Sequence, residues 1–313
     1  MEEELIISGR MNDRIDPILN IWHWEIPFYL FVGGISAGIL FFAAYYYLQG
    51  KEEEYPATIK YAPLVTPFLL ILGLIALIMD LNHPWYSWRL YTTFRIQSPM
   101  SWGAWTLMVV TPLSIIWSAS YVREVFPKWD WKFKWLYRLE AFFRTRRTEM
   151  AWILVFFSVI LGIYTGILLS AFNARPLWNT SILGPLFLAS GLSAGAAVII
   201  VFSRKELERR LFSKIDMIVI GAELFFIIHM FMGFLASTQV QQEAASLFLG
   251  GEYTLPFWIF VVFIGMIVPA ILEFLELRGQ KIPVLIPAIL ILFGNIMLRI
   301  IIVYAGQASG YPY

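Results

Sequence analysis

Residues 26–48 read IPFYLFVGGISAGILFFAAYYYL, a stretch without a charged side chain. A helix needs about 20 mostly apolar residues to cross the hydrocarbon core of a bilayer, so this stretch predicts a membrane-spanning helix. Comparable apolar runs follow along the chain at 64–81, 101–121, 150–172, 181–202, 216–236, 255–275 and 283–303. The sequence therefore predicts an all-α polytopic membrane protein with eight transmembrane helices.

The composition agrees with a membrane protein. The 313 residues are 59% hydrophobic and 14% charged, whereas a soluble domain carries roughly 25% charged residues. The formal net charge of +1 gives no reason to expect a nucleic-acid partner. The chain has no cysteine, which excludes disulfides, thiolate nucleophiles and cysteine-ligated clusters within it. Residues 1–16 lack a basic region followed by an apolar stretch, so we expect no cleavable signal peptide.

The distribution of Lys and Arg predicts the orientation of the spans. Seventeen of the 23 basic residues fall in connections on one side, five fall on the side of the termini, and Arg299 lies inside the last span. Cytoplasmic connections carry the excess of Lys and Arg. We therefore expect a multi-pass protein of the cell inner (cytoplasmic) membrane with both termini outside the cytoplasm.

An internal repeat predicts two halves. Gly34–Gly38 reads GISAG and Gly191–Gly195 reads GLSAG, 157 residues later, and Pro112 and Pro269 share that offset. Small residues four apart let helix backbones approach closely, so chance recurrence of a packing motif is the alternative. The predicted parts are an outer segment at 1–25, a first four-helix bundle at 26–172 and a second at 173–313.

The long connection at 123–149 combines aromatic and basic residues. Its apolar residues recur at helical spacing: Trp131, Trp135, Leu136, Leu139, Phe142 and Phe143. A basic amphipathic helix of this kind lies in the membrane interface. We interpret this connection as a lipid anchor on the inner leaflet.

A polar segment precedes the first span. Asn20 and His23 are three residues apart and would share one face of a helical turn, while Trp22 and Trp24 are typical anchors at the membrane–water boundary. Polar groups at this edge of a membrane domain can hydrogen-bond a lipid-soluble ligand. The segment is therefore a candidate ligand site on the outer face.

Other polar side chains are predicted at the same depth. The second span ends at Asp80, followed by His83 and Arg89, and the outer half of the fourth span carries Tyr164. Ionisable groups inside spans are costly and usually functional. Asp80, with His83 and Arg89 nearby, is a candidate for a proton relay; the alternative is an ion pair with Arg89 or His83 that orders the outer loop.

A second set of ionisable residues lies in the sixth and eighth spans. Asp216, Glu223 and His229 follow one another in the sixth, and Arg299 lies in the eighth. The last three are candidates for a proton relay, although Asp216 fits a position at the start of its helix and Glu223 fits a buried acid paired with a neighbour. A b-type haem needs two axial ligands that face one another across helices, usually histidines. His83 and His229 could supply one such pair at most, and no span carries two histidines at the spacing of a two-haem cytochrome, so we expect no haem.

Three motifs resemble the NrfD/PsrC-like integral membrane subunits of polysulfide-reductase-type molybdoenzymes. The first is Asn20-x-x-His23 ahead of residues 28–34, which read FYLFVGG. The second is Asp80-Leu81-x-x-Pro84 at the end of the second span. The third and most specific is SPMSWGAW at residues 98–105. The eight-helix layout extends the resemblance along the whole chain.

The resemblance implies a haem-free subunit that binds menaquinol or menaquinone. Asn20 and His23 match the family's quinone ligands by spacing, and Tyr164 matches by helix and depth. His23, with Asp80, would then accept the protons of a quinol. The implied partners are a four-cluster iron–sulfur subunit and a molybdopterin catalytic subunit docked on the outer face, and the complex could form a dimer.

Two other functions remain open. One is a proton-translocating, energy-converting subunit of a quinone-linked complex, in which Glu223, His229 and Arg299 line the path. The other is a secondary transporter, which would need interrupted helices with central polar sites. The terminal substrate, the direction of electron flow and the quinone type are not encoded in these motifs.

Overall fold

A computed structural model describes residues 22–310, and over this range the chain is helical without any β-strand. Eight helices between these residues are long and apolar enough to cross a membrane, which confirms the predicted fold class. They are α1 (Glu25–Leu48), α2 (Ala57–Asp80), α3 (Pro99–Val125), α4 (Arg147–Ser170), α5 (Leu183–Phe202), α6 (Glu206–Leu235), α7 (Pro256–Leu277) and α8 (Leu285–Ala308).

Two helices begin earlier than their apolar runs. Helix α2 begins at Ala57 instead of residue 64, and α6 begins at Glu206 instead of residue 216. Hydropathy marks only the part of a helix inside the apolar layer, whereas backbone hydrogen bonding continues into the charged first turns of α6. The expectation that Asp216 starts its helix is therefore wrong, because Asp216 lies well inside α6 and is fully buried.

The early start of α2 is stabilised from α6. The buried Glu208 carboxylate accepts hydrogen bonds from the backbone N–H groups of Ala57 (3.3 Å) and Thr58 (2.7 Å) and from the Thr58 hydroxyl (2.8 Å). The first N–H groups of a helix have no partner inside it, so Glu208 does for α2 what a capping residue does in other helices.

The eight helices pack in the same pattern in each half of the chain. Helix α1 contacts α2 and α4, and α3 contacts the same two; likewise α5 contacts α6 and α8, and α7 contacts the same two. The halves meet where α5 contacts α1 and α4 and where α8 contacts α1. Two halves of equal topology produce this pattern, and the division at residue 172 stays a prediction.

The repeated glycine motifs lie at the contact between the halves. A Cβ on Gly38 would lie 2.2 Å from the Gly191 carbonyl oxygen, and a Cβ on Gly195 would lie 2.6 Å from the Gly38 carbonyl carbon. Real side chains cannot occupy those positions, so α1 and α5 cross backbone against backbone. The two copies of the motif face each other there, as expected for small residues at a helix crossing.

The connection after α3 contains a helix at Lys134–Thr145. Its apolar side chains Trp135, Leu139 and Phe142 are exposed on the protein surface. This amphipathic face is not covered by the rest of the described chain, and its placement on the inner leaflet stays a prediction.

Candidate functional site

The segment before α1 is held in place by the far end of the chain. The Trp22 backbone N–H donates to Gln307 Oε1 at 2.9 Å, and Gln307 Nε2 donates to the Trp22 carbonyl at 2.8 Å. The Trp22 indole packs against the rings of Phe172 (5.0 Å) and Trp178 (5.3 Å). These contacts fix the backbone directly ahead of His23.

His23 lies in a group of protonatable side chains. It is exposed, and together with Glu25 it lies within electrostatic range of the Asp80 carboxyl at the end of α2. One Glu25 carboxylate oxygen is buried without a hydrogen-bond partner. The structure thus brings the predicted His23 and Asp80 together and adds Glu25, while Asn20 lies outside the described residues.

Tyr164 is buried deeper, between α1 and α3. It is 7% exposed, and a Cβ on Gly103 would lie 2.1 Å from its hydroxyl oxygen, so only glycine at residue 103 leaves room for this side chain. Tyr29 of α1 lies beside Tyr164, and Tyr91 interacts with both. Burial raises the pKa of Tyr91 above its ordinary value, and the tyrosine hydroxyl can donate a hydrogen bond.

An apolar cavity of about 360 Å³ opens beside Tyr164, between the start of α3 and the C-terminal half of α4. It is lined by Ile96, Gln97, Pro99, Trp102, Ile160, Ile163, Tyr164 and Ile167. The Trp102 indole N–H donates to the Ile96 carbonyl at 2.7 Å. This hydrogen bond fixes two of the lining residues relative to each other. An apolar pocket with few polar groups is the usual form of a small-molecule site.

A row of polar side chains lies between this cavity and the end of the molecule at which α1 begins. Tyr164 lines the cavity and lies beside Tyr29. Tyr29 follows Glu25 by four residues on α1, which places both on one face, one helical turn apart. Glu25 and His23 each lie within electrostatic range of Asp80. Sequence reasoning missed Tyr29 and Glu25, although their four-residue spacing from each other was visible in the sequence.

A second, polar cavity of about 500 Å³ lies in the loop between α2 and α3. Its lining includes His83, Arg89 and Arg95, and no carboxylate. The Arg89 guanidinium lies 4.5 Å from the ring of Tyr86. The ion pair between Asp80 and Arg89 that the sequence allowed does not form among the described residues, because Arg89 turns toward this ring instead.

Arg299 links the two halves in the protein interior. It is fully buried, and its Nε donates to the Leu30 carbonyl of α1 at 3.1 Å. One terminal nitrogen donates to the Ser190 hydroxyl of α5 at 3.0 Å and to the Asn295 side-chain oxygen at 2.5 Å. A buried cation needs such partners, and here they come from α1, α5 and α8.

Three buried carboxylates accompany Arg299 in the second half. Asp216, Glu223 and Glu273 are each at most 1% exposed. Glu223 interacts with Arg299 and with Asp216, and Asp216 interacts with Glu273. Glu223 is therefore a buried acid beside the Arg299 cation, which fits the alternative of a buried acid paired with a neighbour, and its role in a proton relay stays a prediction.

His229 does not join this group. It is exposed on the surface of α6 and stacks on Phe225, with ring centroids 5.8 Å apart. Glu273 of α7 takes its place as the neighbour of the α6 acids. Sequence spacing along one helix did not reveal this pairing, because it depends on how α6 and α7 pack.

Comparison with known proteins supports the family resemblance. A family model described as "Polysulphide reductase, NrfD" matches residues 11–309. A polysulfide reductase chain of Wolinella succinogenes is 32% identical over 302 residues, which cover 92% of the present sequence and 94% of the relative. Protein NrfD of Escherichia coli is 30% identical, covering 92% and 96%. A tetrathionate reductase subunit of Salmonella typhimurium is 28% identical, covering 58% and 49%.

Proposed function

Because this chain belongs to the polysulphide reductase NrfD family, we propose that it is the quinol-binding membrane anchor subunit of a molybdopterin/iron–sulfur oxidoreductase. It exchanges electrons between menaquinol in the membrane and an iron–sulfur subunit outside the cytoplasm. The observation that carries this proposal is the row of polar groups from the Tyr164 cavity through Tyr29 and Glu25 to Asp80 and His23.

Each part of the row has a chemical task. A quinol supplies two electrons and two protons when it is oxidised. The apolar cavity fits its ring, and the Tyr164 hydroxyl can hydrogen-bond one ring oxygen. The buried Tyr29 hydroxyl lies beside the Tyr164 hydroxyl and within its electrostatic reach, so it can pass a proton from Tyr164 toward Glu25. Glu25, Asp80 and His23 can then accept protons and release them at the exposed outer surface.

The electrons leave to partner subunits. The cysteine-free chain has no thiolate ligands for an iron–sulfur cluster, and two of the relatives are by name single components of a polysulfide reductase and of a tetrathionate reductase. We propose a four-cluster iron–sulfur subunit and a molybdopterin subunit on the outer face of the cell inner membrane. Arg89 and Arg95, in the acid-free outer cavity, would attract an acidic surface of such a partner.

We expect Tyr164→Phe in the intact complex to lower kcat/KM for quinol about tenfold, because the variant loses one ligand hydrogen bond while keeping the ring in place. Activity with an artificial dye that reacts directly at the catalytic subunit should be unchanged. Tyr45→Phe is the matched control, since Tyr45 is exposed and lies at the opposite end of α1 from Tyr29. Equal quinol kinetics in Tyr164→Phe and the wild type would exclude Tyr164 from the site.

A second candidate function is proton translocation by the same subunit. The specific observation is the buried set Arg299, Glu223, Asp216 and Glu273, which extends toward the ion pair between Glu276 and Arg209 at 2.8 Å. Buried ionisable groups in membrane spans are typical of proton paths. The continuity from Glu223 to the end of α7 was not visible in the sequence.

We expect Glu223→Gln to lower the proton-to-electron ratio in sealed vesicles if this path translocates protons, because the amide cannot take up and release a proton. Quinol-linked electron transfer should continue, since the Tyr164 cavity lies in the other half. Glu206→Gln is the control, because Glu206 is exposed at the start of α6. An unchanged ratio in Glu223→Gln would rule out this second function.

A further inference from the structure

A large groove lies at the end of the molecule that carries most of the basic residues. Its volume is about 930 Å³, and it runs between α2 and α3 below the connection at 123–149. The α3 side of the groove extends from Ile115 to Phe126, a length of about 16 Å at 1.5 Å per helical residue. Its walls are almost wholly apolar, with Arg204 as the one charged lining residue.

A second cavity continues the groove at its mouth. It has a volume of about 380 Å³ and is lined by residues that include Lys128, Asp130 and Lys132. Trp129 and Trp131 line both cavities, so the two spaces meet at these indoles. Together the cavities present three cationic side chains and one carboxylate at one end of a long apolar groove.

The position of Trp131 is fixed by the surrounding chain. Its indole N–H donates to Glu140 at 2.7 Å, and its backbone N–H donates to the Tyr137 hydroxyl at 3.2 Å. Arg123 forms an ion pair with Glu140 at 3.3 Å, which ties this group to the end of α3. The residues at the mouth of the groove are thus held in place by contacts with α3 and with the helix at Lys134–Thr145.

We propose that this groove binds one anionic phospholipid, with an acyl chain between α2 and α3 and the phosphate among Lys128, Lys132 and Arg204. The geometry matches the two parts of such a lipid: a long apolar channel and a cationic mouth at the level of interfacial tryptophans. Basic pockets between membrane helices bind anionic lipid headgroups in this way. The site is separate from the Tyr164 cavity, so it stands whether or not the proposed quinol function is correct.

The test is native mass spectrometry of the delipidated full-length chain, titrated with phosphatidylglycerol and with phosphatidylcholine of the same acyl chains. We expect one phosphatidylglycerol molecule to be retained about tenfold more tightly than phosphatidylcholine. Equal retention of the two lipids would overturn the proposal, as would stronger retention of a neutral isoprenoid quinone. This comparison uses only the wild-type chain and does not depend on any variant folding.

Two sets of variants locate the site. The triple variant Lys128→Gln/Lys132→Gln/Arg204→Gln should lose the preference for phosphatidylglycerol. The control Lys214→Gln/Arg278→Gln/Lys281→Gln removes the same charge from exposed residues of α6 and of the connection from α7 to α8 and should keep the preference. Ala119→Phe, which fills the groove, should reduce retention of both lipids. Equal loss of preference in the two triple variants would show attraction by overall charge and overturn the assigned site.

Discussion

The His23→Ala variant of the intact complex is expected to lose at least about 100-fold of its quinol-linked turnover, a typical effect of removing a general acid–base group. His23 is the exposed member of the group formed with Glu25 and Asp80. Without the imidazole, the carboxyls of Glu25 and Asp80 would have to release protons directly to water. Because each carboxylate charge disfavours ionisation of the other, the pair would hold its protons more tightly.

The measurement is steady-state turnover with a menaquinol analogue, beside turnover with a dye that exchanges electrons directly with the catalytic subunit. Dye-linked turnover should be retained, because His23 lies at the membrane subunit's own site. His229→Ala is the matched control: His229 is also an exposed histidine, but it lies on the surface of α6 in the other half of the chain. Quinol turnover unchanged in His23→Ala, or reduced equally in His229→Ala, would disprove the assigned role.

The second large effect is expected from Gly38→Ala, which should lower Tm by on the order of 5 °C. The added Cβ would lie 2.2 Å from the Gly191 carbonyl oxygen and 3.1 Å from Gly195 Cα. Both neighbours are backbone atoms, which cannot rotate away, so α1 and α5 must separate. Overpacking of a tight contact costs about 1–3 kcal/mol, and a large chain loses about 2–4 °C for each kcal/mol.

Gly33→Ala is the matched control for this substitution. Gly33 lies on the same helix, and no atom lies within 4 Å of the position of its added Cβ. Alanine stabilises a helix by up to about 1 kcal/mol relative to glycine, so Gly33→Ala should melt at the wild-type temperature or above it. The melting curves are compared in the same detergent. Equal Tm values for the two variants would show that the crossing of α1 and α5 adjusts freely.

The number of spans could be predicted from the sequence, because hydropathy is a local signal. Residue spacing also singled out His23, Asp80 and Tyr164, whose role as a site stays a prediction. The first turns of α2 and α6 contain charged residues outside the apolar layer. Hydropathy therefore did not mark these turns as helical, because it does not report backbone hydrogen bonding. Tyr29 was missed because a tyrosine within an apolar span resembles an ordinary core residue. The pairing of Asp216 with Glu273 depends on the packing of α6 against α7, which no single-helix pattern contains.

The reciprocal hydrogen bonds between Trp22 and Gln307 join residues separated by 285 positions in the sequence. During synthesis the N-terminal helices enter the membrane first, and the end of α8 arrives last. The backbone beside His23 therefore acquires its final position only after α8 has been made. A nascent subunit would hold the Tyr164 cavity before it holds a positioned His23, so the end of the row that we propose accepts protons is the last part to form.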